Sequence, residues 1–195
     1  MEALHIIGDE HQSLAAILHA IRFMLKEISA GKLAADLALF QAMVHYLDAY
    51  AEKRHHPKED LLFHRLQERT EEGAEALATL GRQHAAAPQR IAALEEALAC
   101  FVGDPGRFDE FAKAFDAYAE FYREHMMLEE DIVLPLLRAH LRADDWAELD
   151  ASFRAEMAVN SGKDGASENF SALFSRLVDC APAPIGFGPR PFVNR

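Results

Sequence analysis

Hydrophobic positions recur at three- and four-residue spacing along most of this chain, the period of a helix with one buried face. Leu4, Ile7, His11, Leu14, Leu18, Ile21 and Leu25 share such a face. They predict a first helix over about residues 4–30, with Gly31 placed to end it. A second helix is expected over 36–69, through Leu39, Met43, Leu47, Leu62 and Leu66, and a third over 71–102. Gly103-Asp104-Pro105-Gly106 is the clearest turn, with Asp104 and Pro105 suited to open a fourth helix. That helix continues to about residue 141 through Phe111, Phe115, Tyr118, Phe121 and Leu128. Strand-like alternation and a glycine-rich phosphate loop are both missing from the pattern. The prediction is an all-α, up-down-up-down four-helix bundle over residues 1–142.

Residues 143–195 read as a C-terminal helical extension and tail. A weaker helix is expected over Asp145–Met157, a polar loop from Asn160 to Gly165, and a helix over Ser167–Cys180. Trp146, Leu149, Phe153, Phe170, Leu173, Phe174 and Leu177 give these helices apolar faces. Such faces cover the bundle or pair with a second subunit, and a symmetric homodimer is the expectation. From Pro182 onward proline and glycine alternate, which excludes helix. Ile185, Phe187 and Phe192 suggest that this extended tail docks on something.

Composition changes the picture in three ways. With 195 residues and half of them apolar, the chain can bury one sizeable core. A formal net charge of −12 repels nucleic acid and anionic membrane surfaces. No apolar run approaches the ~18 residues of a membrane-spanning helix, and the first residues do not resemble a secretory signal. Cys100 and Cys180 lie too far apart in sequence for a CxxC site, and two reduced thiols suit the cytoplasm.

The third change is the histidine count, which is ten. His11 is on the first predicted helix, His55 and Glu59 on the second, His84 on the third, and His125 and Glu129 on the fourth. A single histidine followed by a His-x-x-x-Glu pair thus occurs twice, at nearly equal separations. Residues four apart share a helix face. His64 and Glu68 make a third such pair, but it points about 140° away from the His55/Glu59 face and reads as solvated. The other six residues lie in line with the apolar stripes. Two carboxylates facing a core need positive charge to neutralise them, and no lysine or arginine lies on those stripes beside them. Four imidazoles and two carboxylates facing inward define a dinuclear metal site. Mixed nitrogen and oxygen donors suit iron, and manganese or zinc accept the same set.

Asp9-Glu10-His11, His55-His56-Pro57-Lys58-Glu59-Asp60-Leu61-Leu62-Phe63, His84 and His125-Met126-Met127-Leu128-Glu129-Glu130 together resemble the hemerythrin-like HHE cation-binding proteins. The resemblance covers residues 4–141. It implies that His11, His55, Glu59, His84, His125 and Glu129 hold two iron ions with an oxo, hydroxo or carboxylate bridge. Oxygen-carrying hemerythrins have two histidines four apart on the third helix and an aspartate on the fourth. Here Leu80 and Pro88 flank His84 at that spacing, so the pattern is more similar to iron–sulfur cluster repair and iron-sensing members. The cysteine-bearing segment of the repair proteins does not precede the bundle.

Other residues near the pattern receive different expectations. His56 sits about 100° around the helix from His55, so it ligates only if Pro57 distorts the backbone; otherwise it faces solvent or backs another ligand. His5, His19, His45 and His140 fall off the site. Tyr118 and Tyr122 approach it, with packing as their expected role. Three functions remain open: binding or sensing of oxygen, nitric oxide, peroxide or iron; di-iron oxidoreduction or iron donation to damaged clusters; and a metal-free structural bundle.

Overall fold

The computed structural model describes residues 1–160 and 169–188, without the side chains of 158–160. Apolar periodicity becomes helix along nearly all of that length, with no strand among the described residues. Helix α1 spans Glu2–Ser29, and Gly31 follows at a φ of +68°, a conformation that favours glycine. Helix α2 spans Leu37–Tyr46, and its N-terminal amide at Leu39 donates to the Asp36 carboxylate at 3.0 Å. A π-helical segment, Leu47–His55, joins it to α3, His56–Gln67. Helix α4 spans Ala74–Gly103, and a 3-10 turn, Pro105–Arg107, leads into α5, Phe108–Leu128. A second π segment, Glu129–Val133, joins α5 to α6, Leu134–His140.

The second and fourth expected helices are therefore interrupted ones. Pro57 and Pro135 each stand two residues beyond the end of a π segment. Proline has no N–H to donate, and its ring crowds the carbonyl four residues back. A wider turn just ahead of it relieves that crowding while the chain stays helical. Asp104 caps the short 3-10 turn, not α5 itself, accepting from the Gly106 amide at 2.9 Å.

The four-helix ring closes through α1 against α5, α5 against α4, α4 against α2, and the first π segment against α1. Its interior holds two apolar clusters. One contains Leu14, Ile21, Phe40, Met43, Leu94, Phe111 and Phe115. The other contains Ile7, Leu62, Leu66, Leu80, Val133 and Leu137. Within the ring, each of the four helical segments passes from one cluster to the other through a polar residue: His11 between Ile7 and Leu14, His55 and Glu59 between Ala51 and Leu62, His84 between Leu80 and Ile91, and His125 and Glu129 between Tyr122 and Val133. The candidate residues form one polar layer at the same level of the bundle.

Two further helices reinforce the two ends. Helix α7, Ala143–Asn160, packs on α1 and α3 and adds Trp146, Leu149 and Phe153 to the second cluster. Asp145 near its start accepts from Arg65 at 2.9 Å, from Arg69 at 2.8 Å and from the Arg142 amide at 2.9 Å. Helix α8, Phe170–Cys180, packs on α1 and α2 and adds Phe170, Leu173 and Leu177 to the first cluster. Beyond it, Ile185 rests on that cluster and Phe187 is exposed. Residues 161–165 of the polar loop, residues 167 and 168 of the expected last helix, and Phe192 lie outside the described residues. None of the described helices is long and apolar enough to cross a membrane.

Phe153 is fully buried in α7. Phe153→Ala is expected to cost about 3–5 kcal/mol, the range for truncating a core aromatic, as read by chemical denaturation. A loss below about 1 kcal/mol would mean that α7 does not dock as described.

Candidate metal centre

All six residues singled out from the sequence meet in the polar layer, five of them fully buried and His84 nearly so. Glu59 lies at the middle. Its Oε1 is 2.7 Å from Nε2 of His55 and 3.2 Å from Nε2 of His11. Its Oε2 is 3.3 Å from Nε2 of His84 and 3.5 Å from Nε2 of His125. Glu129 lies across from it, with Oε2 3.2 Å from Nε2 of His11 and 3.6 Å from Nε2 of His125. Two groups have donor atoms mutually within 4.8 Å: His11, His55 and Glu59 form one, and His56, Glu59, His84 and His125 form the other. Glu59 belongs to both.

Each of the four predicted histidines turns Nε2 inward because an oxygen holds Nδ1 from behind. His55 Nδ1 is 2.7 Å from Glu10, His11 Nδ1 3.0 Å from Glu130, His84 Nδ1 2.8 Å from Asp60, and His125 Nδ1 3.1 Å from Gln83. An acceptor at Nδ1 keeps the proton there and leaves the Nε2 lone pair for a cation, as in metal sites generally. Glu10 also accepts from the Tyr50 hydroxyl at 3.0 Å and from the buried Lys58 ammonium. Lys58 thus neutralises Glu10, and among the described residues no lysine or arginine pairs with Glu59 or Glu129.

Several buried polar atoms in this layer make no hydrogen bond: Glu59 Oε2, both oxygens of Glu129, His55 Nε2 and Glu52 Oε2. His55 Nε2 and Glu59 Oε1 are close yet out of hydrogen-bond alignment. Unsatisfied buried carboxylate oxygens are costly. Apart from the His11 Nε2 to Glu59 Oε1 hydrogen bond at 3.2 Å, these imidazole nitrogens and carboxylate oxygens converge without bonding one another, and they are the donor set that a cation would satisfy.

The protonation behaviour says the same. Burial raises the Glu129 carboxyl, and the neighbouring Glu59 charge raises it further, to about 8. Burial opposes ionisation of Glu59 too, but His55, His11 and His125 outweigh it and hold Glu59 well below the usual carboxylate range. Burial disfavours the His11 imidazolium, yet Glu129 and Glu59 lift it to about 10. His55 rises to about 9 against the same burial penalty, through Glu59 and Glu10. Burial lowers His125, and Glu59 offsets this only in part.

The remaining sequence expectations sort cleanly. His64 and Glu68 are solvent-exposed. His5, His19 and His45 are exposed, and His140 contacts Glu72, away from the layer. Tyr118 and Tyr122 are packed as expected but also make polar contacts, Tyr118 donating to Glu52 at 3.0 Å and Tyr122 lying 3.1 Å from His56 Nε2. The supporting Glu10, Asp60, Gln83 and Glu130 were not foreseen. Their signal was adjacency, since each neighbours a predicted ligand in sequence or lies one residue from it. His56 is buried in the layer and does not face solvent.

A four-helix bundle with a buried histidine and carboxylate layer is the architecture of a cation-binding protein. The family model described as hemerythrin HHE cation binding domain matches residues 2–137. The chain belongs to that family. No curated protein and no solved structure matches it.

Metal-free protein is expected to lose stability as the pH rises. In the folded chain His11 and His55 keep their protons to about 10 and 9, against an ordinary value of 6.5. Their contribution is complete below pH 6.5 and disappears as the pH climbs through those values. Glu129, raised from 4.5 to about 8, acts in the same direction. Thermal melting of chelator-treated protein across this range checks the sign. A melting temperature independent of pH from 6.5 to 10 would contradict it.

Proposed function

We propose that the chain is a non-haem di-iron protein in which His11, His55, Glu59, His84, His125 and Glu129 hold two iron ions. In this reading the centre binds or senses a small ligand: dioxygen, nitric oxide or peroxide. The observation that carries it is Glu59, whose two oxygens face two separate sets of buried imidazoles. Such a carboxylate fits between two cations and leaves an oxygen unsatisfied without them. Glu129, between His11 and His125, fits a second bridge. Nitrogen and oxygen donors suit iron, with manganese and zinc as the competing ions.

Bound iron would supply a redox-active, Lewis-acidic position for an oxygen- or nitrogen-donor ligand. The chain's own residues supply the rest. Glu10, Glu130, Asp60 and Gln83 fix the imidazole orientations. The apolar clusters above and below keep bulk water from the layer, which strengthens every charge interaction inside it. Six side chains for two metals leave coordination positions for an external ligand. In a purely structural bundle Glu129 stays buried with both oxygens lacking a hydrogen bond and only the His11 and His125 imidazoles beside it, a cost that a bound cation would remove.

Reaction with nitric oxide and peroxide tests this reading. Ferrous protein prepared without oxygen is expected to change its visible spectrum with either reagent, saturating at stoichiometric addition, and Glu59→Ala to abolish the change. Peroxide or nitric oxide consumption continuing far beyond stoichiometry would assign an oxidoreductase instead. A spectrum unaltered by both reagents would contradict ligand handling at this site.

A further inference from the structure

We propose that His56 is a seventh metal ligand, completing a three-histidine pocket with His84 and His125 opposite the two-histidine pocket of His11 and His55. This rests on the dinuclear reading above and makes its two metal positions chemically unequal.

The backbone allows it in a simple way. Glu59 lies four residues after His55 and three after His56, and both spacings bring side chains together on a helix. The carboxylate therefore sits between the two adjacent histidines, one on either side. His55 goes to the Oε1 side with His11, where the rings meet edge to face at 5.0 Å. His56 goes to the Oε2 side, stacked on His84 at 4.3 Å and edge-on to His125 at 5.1 Å. A donor atom of His56 joins those of Glu59, His84 and His125 within 4.8 Å of one another. The π segment that ends at His55 and the proline at 57 place this departure from regular helix at the site.

The surroundings of His56 repeat the arrangement found at the other four histidines. Its Nδ1 faces a carboxylate, Glu52, at 3.1 Å. Glu52 is itself held by the Tyr118 hydroxyl at 3.0 Å. Its Oε2 makes no aligned hydrogen bond, so Glu52 is free to take the Nδ1 proton more squarely once the ring is pulled towards a cation. Nε2, the nitrogen away from Glu52, meets the Tyr122 hydroxyl at 3.1 Å. With the proton on Nδ1, that hydroxyl donates to the same lone pair that a metal would use. Tyr122 therefore competes with the ion for His56.

Ferrous iron added anaerobically to the full chain, in competition with a chromophoric chelator, separates the possibilities. Wild type is expected to bind two ions. His56→Gln, with a far-UV spectrum matching wild type, is expected to keep one ion and to weaken the other at least about 100-fold, beyond the loss seen on removing an outer support. Tyr122→Phe frees the lone pair and is expected to tighten that ion about two- to tenfold, the worth of one hydrogen bond. A folded His56→Gln that binds both ions as wild type does would overturn the proposal. Should His56→Gln fail to fold, Tyr122→Phe decides: unchanged or weaker binding of the second ion overturns it. A wild-type chain that takes up no second ion sinks the dinuclear reading itself, and this proposal with it.

Discussion

Two carboxylates buried side by side at the centre of a helical bundle are the constraint around which this structure is arranged. Glu59 and Glu129 have almost no access to solvent, and like charges sharing the His11 and His125 imidazoles resist ionising together. The imidazoles around them answer part of the problem, and the carboxylates in turn raise His11 and His55 against burial while Glu129 is raised by burial and by Glu59. The rest of the molecule is organised to hold that layer in place. Apolar clusters lie on both sides of it, and α7 and α8 each extend one of those clusters.

The layer is also held from outside by a ring of acceptors. Glu10, Glu130, Asp60 and Gln83 fix one face of each imidazole so that the other face is committed inward. The supports differ in exposure. Glu10 is buried and carries its own countercharge in Lys58, whereas Glu130 and Asp60 are more than half exposed. The His11 and His84 supports are therefore open to screening by salt and solvent, and the His55 support is shielded. The π segments add a backbone element to the same end. Both lie where a proline would otherwise crowd a regular helix, and both border the ligand-bearing positions.

Most of the fold was legible because helical period is a long-range signal. The four-helix order and the C-terminal helices follow from the spacing of apolar residues, and the turn at Gly103–Gly106 from its glycines and proline. The six central residues were legible because they interrupt apolar stripes at positions where a polar group has no ordinary reason to be. The π segments were not, since a straight helical wheel assigns each residue one direction, whereas the real chain changes pitch before Pro57 and Pro135. Of the places open to His56, the solvent-facing one is excluded for a related reason: Glu59 lies four residues after His55 and three after His56, so both adjacent histidines reach the buried layer on either side of it. Lys58 and Glu52 were hidden by length. Their side chains reach across to a neighbouring helix, and no pattern within one helix reports that reach.

The central claim is that this layer exists to hold two cations, and the most direct test is metal content per chain by plasma mass spectrometry. The protein would be purified without tag, added metal or chelator. The account predicts two iron ions per chain, and loss of both on replacing Glu59 with alanine. A chain that carries no metal, and takes up none on anaerobic addition of ferrous iron, would contradict it.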